Sequence, residues 1–436
     1  MPAPGRAQRA VLAFIEESAE DIAETLVALV RTPTVNPYSG DPDARGELEG
    51  QRYFERLLRA AGADTEFLEI PPDVYRRAGV LAPAGRDFSG RPCLLGRFRF
   101  GGGLGPKLVF NGHMDTVGVS DFENEPFSGR REGGLVHGRG ASDCKGGLVA
   151  GLFALRALAE TRAPAAGEVL FESVVEEECN GAGAGTLACC LAGLRGCAAI
   201  VLDGAAGRLF TGCQGIATLE LTVRGRAGHG SYGGVNAAEK LLVAKAALDR
   251  LAAERAAAHP GAAVNLGVLR AGLAPWVVPN RGYLSANLNY EYAEAVASER
   301  AGRGFCGMLV RERFEQLLAE AAGADEWLRE RRPELVWAKD VSPYRLADCR
   351  PEPAAAGLLA AARRGGELAW GRALEEGDLP AWYDGSHLAR VGGMPAVGMG
   401  TAEPGTAHTA GEFNRVANVQ RAAAAAALTA LELLGS

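Results

Sequence analysis

The sequence is poor in the features that would place it in several large classes. None of its nine cysteines forms a C-x-x-C pair, and an odd number cannot all pair. Reduced thiols in a cytoplasmic protein are therefore expected, not a disulfide framework. No apolar run reaches the roughly 18 residues a membrane-spanning helix needs. The first residues (Met-Pro-Ala-Pro-Gly-Arg) soon meet Glu16, Glu17, Glu20 and Asp21, without the apolar core of a signal peptide. The net charge of −7 leaves no basic stripe for nucleic acid and no attraction to an acidic membrane. Neither a G-x-S-x-G elbow nor a G-x-x-x-x-G-K-[ST] loop occurs, which removes serine-hydrolase and nucleotide-binding readings. Histidine is scarce too: six in 436 residues, so the setting of each one carries information.

What is present is the balance of a soluble globular protein, 47% apolar and 23% charged, in a chain too long for one ordinary core. Leu12, Ile15, Ala19, Ile22, Leu26 and Leu29 predict one amphipathic helix ended by Thr32-Pro33, and a second helix carries Tyr53, Phe54, Leu57 and Leu58. Residues 71–92, rich in Pro, Gly and Arg, read as a surface loop. Strands are expected near 65–70, 94–99, 107–111, 169–175 and 198–202. The last three end in His113, in Glu176-Glu177-Glu178 and in Asp203. Ligand sites of α/β sheets lie at that edge.

From Gly215 the texture changes. A strand over 217–223, a long helix over 236–258, strands near 263–269 and 282–290 and a helix over 308–330 predict an inserted α+β unit. The boundaries are 1–214 for the first part of an α/β domain, 215–345 for the insertion and 346–436 for the remainder. That remainder carries a helix over 353–364, a strand over 394–399, His408 in a Gly-rich turn and a closing Ala-rich helix.

His113 and His408 sit in Gly-rich turns beside strand ends, where a core histidine would be poorly sheltered, whereas His137 and His259 read as structural or surface residues. Asp143, in the turn Gly138-Arg-Gly-Ala-Ser-Asp-Cys-Lys-Gly-Gly147, reads by itself as a helix cap, and three consecutive glutamates by themselves as a solvated turn. Taken together, two imidazoles with Asp143, Glu178 and Asp203 form a mixed N/O donor set suited to Zn²⁺, with Co²⁺ or Mn²⁺ as substitutes. Five ligands exceed what one catalytic zinc takes and fit a metal pair about 3.5–4 Å apart sharing a carboxylate, for which Asp143 is the natural bridge. Asp115, two residues beyond His113 on the strand, can reach the ring and fix its tautomer. Glu177, beside Glu178, points to the opposite side and suits the proton transfer to a leaving amine.

These motifs together resemble peptidase family M20, the co-catalytic zinc peptidases and deacylases that include acetylornithine deacetylase, succinyl-diaminopimelate desuccinylase, glutamate carboxypeptidase and aminoacylase. The resemblance is carried by Gly112-His-Met-Asp-Thr116, the turn 138–147, Glu176-Glu-Glu178, Gly228-His229 and Ala407-His408, and spans nearly the whole chain. It implies a zinc-exopeptidase-like catalytic domain with a mixed sheet and a ferredoxin-like lid and dimerisation domain. One zinc would be held by His113, Asp143 and Asp203, and the other by Asp143, Glu178 and His408. Glu177 would be the general base and acid, Asp115 the partner of His113, and His229 an oxyanion contact supplied across a homodimer.

The chain departs from the family pattern at several places. Asp203-Gly204 stands where Glu-Pro is frequent, and Gly411 precedes Glu412 in place of Asn or Asp. Trp276 stands where relatives carry an Asn before Val277-Val-Pro279, and Asn289 where they carry an Arg. The last two positions hold a substrate carboxylate in relatives. A lone tryptophan most often packs in a core; the alternative is a larger apolar pocket lined by Trp276. Asn265 and Arg281 are the remaining polar candidates. The expected activity is cleavage of an amide in an N-acyl amino acid, a dipeptide or a related N-acylated amine. The competing reading is a non-catalytic binding module on the same fold.

Overall fold

The computed structural model describes residues 4–435 apart from 43, 124 and 260. Nine strands form one mixed sheet: β1 (Asp64–Leu68), β2 (Cys93–Phe100), β3 (Lys107–His113), β4 (Gly167–Val174), β5 (Ala198–Val201), β6 (Arg208–Cys213) and, late in the chain, three more. Between β6 and those lies a second sheet of β7 (Gly215–Arg224), β8 (Val264–Ala271), β9 (Arg281–Tyr290) and β10 (Glu334–Val341). The first sheet resumes with β11 (Tyr344–Arg345), β12 (Glu375–Leu379) and β13 (Ala396–Gly398), in the order β1-β2-β4-β3-β5-β13-β6-β11 with β12 also on β6.

Strands β4, β3, β5 and β13 are mutually parallel neighbours, with His113 opposite Val174, Asn111 opposite Val201 and Gly398 opposite Val201. Whatever follows their last residues therefore emerges along one edge. Every residue of β4 and β5 is buried, as expected of strands covered on both faces. The helix Lys145–Glu160 covers the centre of the sheet and is held close by missing side chains. A Cβ on Gly147 would stand 1.8 Å from the carbonyl oxygen of Leu202, so the helix can approach the end of β5 only with glycine there.

The inserted sheet has the order β8-β9-β7-β10, all antiparallel, and the βαββαβ sequence of a ferredoxin-like unit. It carries its own core, from Ala217, Leu219 and Leu221 to Phe314, Leu317 and Leu328, separate from the core of the large sheet. Alternate residues of β9 are buried against the helices and the others face outward. The mixed α/β architecture with an inserted α+β unit thus follows the sequence pattern.

Two local expectations fail. The first amphipathic stretch is two helices, Arg6–Glu17 and Ala19–Val30, broken at Ser18, whose hydroxyl donates back to the Phe14 carbonyl. Periodicity alone carries no sign of such a break. Residues 71–92 are more than a surface loop: they hold the short helix Val74–Ala78, bury Val74 and Phe88, and send the side chains of Arg86 and Arg91 inward.

Candidate metal centre

The edge formed by β4, β3, β5 and β13 collects the predicted ligands. The Asp143 carboxylate lies between two imidazoles, with Oδ1 3.0 Å from His113 Nε2 and Oδ2 3.3 Å from His408 Nε2. His408 Nε2 also stands 2.8 Å from Glu178 Oε1. Asp203 joins from the other side, grouped with His113 and the thiol of Cys144 within 4.8 Å. Asp143, Glu178 and His113 form a second group with that spacing.

These groups are held by donors placed for the purpose. Glu412 Oε1 accepts from the backbone N–H of Ser142 (2.9 Å) and of Asp143 (3.1 Å), while its Oε2 accepts from Arg139 (2.7 Å). The turn carrying Asp143 is thereby fixed by a residue 269 positions away. His113 Nδ1 meets the backbone carbonyl of Asp115 at 2.9 Å, with the Asp115 carboxylate at 3.6 Å. That carboxylate accepts instead from Asn36 (2.8 Å) and from the N–H groups of Glu178 (3.1 Å) and Glu177 (3.4 Å). Asp115 thus touches both halves of the site, through its carbonyl on one side and its carboxylate on the other.

The backbone around the site is strained. Glu176, Cys179, Asn180 and His408 all adopt positive φ, between 54° and 69°. Each such residue costs about 1–3 kcal/mol and persists only where its surroundings enforce it. For Glu176 the enforcers are Arg86 Nη1 at 3.1 Å and Arg91 Nη1 at 2.7 Å, both buried. Arg91 also makes a two-pronged pair with buried Glu47, at 2.9 and 2.6 Å. Burial pushes the Glu47 carboxyl up to about 7 against the pull of Arg91. Glu176, which looks solvated in the sequence, is in fact fully buried.

The electrostatics call for cations. Asp143, Glu177, Glu178 and Asp203 crowd one place. Burial and then the like charge of Asp143 push Asp203 up to about 7. Burial raises Glu177 well above its ordinary value, the pull of His113 notwithstanding. The Glu178 carboxylate drives His408 up to about 12. Burial opposes a charge on His113, yet Cys144 and Asp143 outweigh it. Two imidazoles and this crowd of carboxylates form a mixed N/O donor set that suits divalent cations.

Comparison with known proteins agrees with this geometry. The profile of peptidase family M20/M25/M40 matches residues 109–432. The chain belongs to this family. It is 27% identical to N-formyl-4-amino-5-aminomethyl-2-methylpyrimidine deformylase of Halalkalibacterium halodurans, over 75% of this chain and 74% of that protein. It is 32% identical to a Mycobacterium tuberculosis protein provisionally named succinyl-diaminopimelate desuccinylase DapE, over 72% of this chain and 80% of the other. Among solved structures, human carnosine dipeptidase 1 superposes with a TM-score of 0.74 at 14% identity, covering 100% of both chains. The M20 metallo-carboxypeptidase of Sulfolobus solfataricus gives 0.69 at 16%, over 95% and 99%. At those identities the structural likeness speaks for the fold alone. The protein is thus an M20-family hydrolase, an enzyme of a group that uses metal ions, and the binding-module reading gives way.

The other predicted site residues lie on or near the M20 insertion. His229 is exposed, its ring stacked on Tyr232 at 4.5 Å and its Nδ1 accepting from the Ser231 N–H at 3.1 Å; among the described residues it makes no hydrogen bond or ion pair to the ligand cluster of its own chain. Trp276 is 69% exposed, so it does not pack into the inserted core. Asn265 and Arg281 are exposed as well. Asn289 turns toward the large sheet, donating to Gln214 Oε1 (3.1 Å) and to the carbonyl of Pro380 (3.4 Å). Gly411 faces open space, so its departure from the family pattern touches nothing. His259, read from the sequence as a structural or surface residue, lies 3.4 Å from Glu291 and 3.6 Å from Glu294.

Among the supporting residues that escaped the sequence reading are Arg86, Arg91 and Asp384. Asp384 is buried with no hydrogen bond of good geometry to either oxygen. Burial pushes it up to about 7, although the neighbouring Thr186 hydroxyl tempers the rise. A carboxylate followed by glycine ahead of a short helix, Asp384-Gly385, was the one available signal.

Proposed function

We propose that the protein hydrolyses the amide bond of an N-acylated amine, using two zinc ions and Glu177. The observation that carries this reading is the Asp143 carboxylate shared between His113 and His408, with Glu178 on His408 and Glu177 beside them. His113, Asp143 and Asp203 would hold one ion and Asp143, Glu178 and His408 the other, with Co²⁺ or Mn²⁺ as substitutes. When bound, the pair supplies Lewis-acid polarisation of the acyl carbonyl and a water of lowered pKa. Glu177 would take a proton from the attacking water as the new C–O bond forms. It passes the proton to the amine nitrogen as the C–N bond breaks, giving a carboxylic acid and a free amine. Asp115 holds both the His113 ring and the backbone of Glu177. His229, from a second copy in a homodimer formed through the insertion, would donate to the developing oxyanion.

The amine half of the substrate is read from the insertion. Asn289 spends its donors on Gln214 and Pro380, which leaves no cation at the position where relatives hold a carboxylate. Exposed Trp276 offers an aromatic surface instead. A small acyl group on an amine without an obligatory carboxylate fits best, as in the substrate named for the bacterial deformylase; N-acyl amino acids and dipeptides come second. The reducing environment implied by nine free cysteines suits a cytoplasmic enzyme, and no described helix is long and apolar enough to cross a membrane.

The test is a parallel assay of zinc-loaded protein on N-formyl and N-acetyl aryl-methylamines, N-acetyl and N-succinyl amino acids, and dipeptides. The expected result is the highest kcat/KM on the amines lacking a carboxylate, with two metals per chain by elemental analysis. Turnover confined to carboxylate-bearing substrates would reverse the substrate assignment. The absence of any amide hydrolysis would end the hydrolase reading.

A further inference from the structure

Between the inserted sheet and the metal centre runs a connection that none of the roles above uses. Lys339, near the end of β10, is buried, and its ammonium donates to the carbonyl of Gly181 at 3.1 Å. Burial pulls the ammonium down to about 8. Of the charges acting on it, Glu177 pulls most strongly back, followed by the repulsion of Arg86 and the pull of Glu178.

The cross-strand neighbour of Lys339 is Thr218 on β7, placed opposite by an irregularity between Trp337 and Lys339. The Thr218 hydroxyl lies 2.8 Å from Asn180 Oδ1 and 2.7 Å from Asn287 Oδ1, and its single proton can serve one of them at a time. Two adjacent side chains of the inserted sheet therefore grasp Asn180 and Gly181. These residues close the loop that begins with Glu176, Glu177 and Glu178.

That loop is the strained one. Glu176, Cys179 and Asn180 have positive φ. Gly181 is packed so tightly that a Cβ on it would stand 2.2 Å from the Glu176 carbonyl. Gly181 N–H donates to Glu178 O, and Gly183 N–H to Glu176 O. On the large-sheet side Arg86 donates to the carbonyl of Cys179 at 2.9 Å. A buried cation from each unit thus holds a carbonyl of the same turn.

We infer that Lys339, assisted by Thr218, is a positioning residue through which the insertion holds the Glu176–Gly181 loop, and with it Glu177, in working geometry. The role of Glu177 comes from the hydrolase reading above, on which this inference rests. A displacement of about 1 Å in a group acting on the reaction can cost about 10²-fold in rate.

The test compares Lys339→Met, Lys339→Arg and Thr218→Val in the full-length, metal-loaded protein. Kinetics, metal content and hydrogen exchange at the Gly181 and Gly183 amides are read together. For Lys339→Met, kcat should fall about 10- to 100-fold with KM within about threefold, both metals retained and exchange at both amides faster. Lys339→Arg, which keeps a donor, should recover most of the rate. Thr218→Val should give a smaller loss that is non-additive with Lys339→Met, since both hold one loop. Unchanged kcat and exchange in Lys339→Met would overturn the inference. So would a rise confined to KM, which would make Lys339 a substrate contact, or a loss of metal, which would make it a structural support of the ligands. Should Lys339→Met fail to fold, exchange and kcat in Thr218→Val decide on the same criteria. Wild-type protein inactive on every amide would refute the hydrolase reading alone, because the exchange measurement tests the hold on the loop without turnover.

Discussion

The edge of the large sheet and the inserted sheet are built on opposite terms. At the edge, charges are buried, backbone is strained and nearly every site group has a dedicated partner: Glu412 under Asp143, Asp115 between His113 and Glu178, Arg86 and Arg91 under Glu176. On the insertion the candidate groups other than Asn289 are exposed and lightly held, with His229 stacked on Tyr232 and Trp276 open to solvent. The difference divides the work. An edge so tightly specified tolerates little change, whereas an exposed face on an independent core can vary without disturbing it.

Removing Glu177, the proposed proton-transfer group, should break the edge most severely. Glu177→Gln should lower kcat by about 10²–10⁴-fold while leaving metal content intact, as measured by steady-state kinetics and elemental analysis. A variant retaining more than a tenth of wild-type kcat would mean that another group carries the proton, with buried Asp384 the next to examine.

The support beneath the edge should weigh almost as much, on stability. Arg91→Met leaves Glu47 and Glu176 buried with one cation fewer, and breaking a buried ion pair costs about 3–5 kcal/mol. Urea unfolding should report the loss as a lower midpoint with an unchanged slope. A shift below about 1 kcal/mol would show that the buried acids simply take up protons in place of the guanidinium.

The same contrast explains what could be read from the sequence. His113 and Glu178 stood out because they sit at or just beyond strand ends, and Asp143 because it sits in a Gly-rich turn; the parallel order of β4, β3 and β5 then gathers those strand ends along one edge. The inserted α+β unit was legible because the order of its strands and helices breaks the alternation of the first half, while its ferredoxin-like form came from the family resemblance. Arg86 and Arg91 were not legible. Their partner Glu176 lies some 85–90 residues away, and a segment rich in Pro, Gly and Arg looks the same whether its arginines are solvated or buried. Lys339 was hidden for a related reason: the carbonyl it serves belongs to another sheet. Short-range pattern reveals which residues end an element, but not which distant group meets them.

On the insertion, the decisive experiment mixes subunits. His229→Ala should reduce kcat by about 10²–10³-fold, the usual cost of losing one oxyanion donor. If His229 serves the neighbouring subunit, co-expressing His229→Ala with Glu177→Gln should restore part of the activity, because a mixed dimer then contains one intact site. Two inactive parents giving an inactive mixture, with dimers verified by light scattering, would place the function of His229 within its own chain or nowhere in catalysis.

The smallest expected effect separates the two regions by pH. His387, buried beside the large sheet, has its pKa lowered to about 4, first by burial and against the help of its contact with the Ala182 carbonyl at 2.8 Å. Its folded value lies below the unfolded value of about 6.5, so between the two the unfolded chain binds more protons. Stability from this group is therefore complete above about pH 6.5 and is lost as pH falls toward 4, amounting to about 2 kcal/mol by pH 5. Urea midpoints of wild type and His387→Gln at pH 7 and pH 5 isolate the effect, since acids titrating in both proteins cancel in the difference. The variant should lose less stability on acidification than wild type. An equal loss in both would mean that His387 takes up its proton in place, and that the interior beside the metal edge is more open to water than its packing implies.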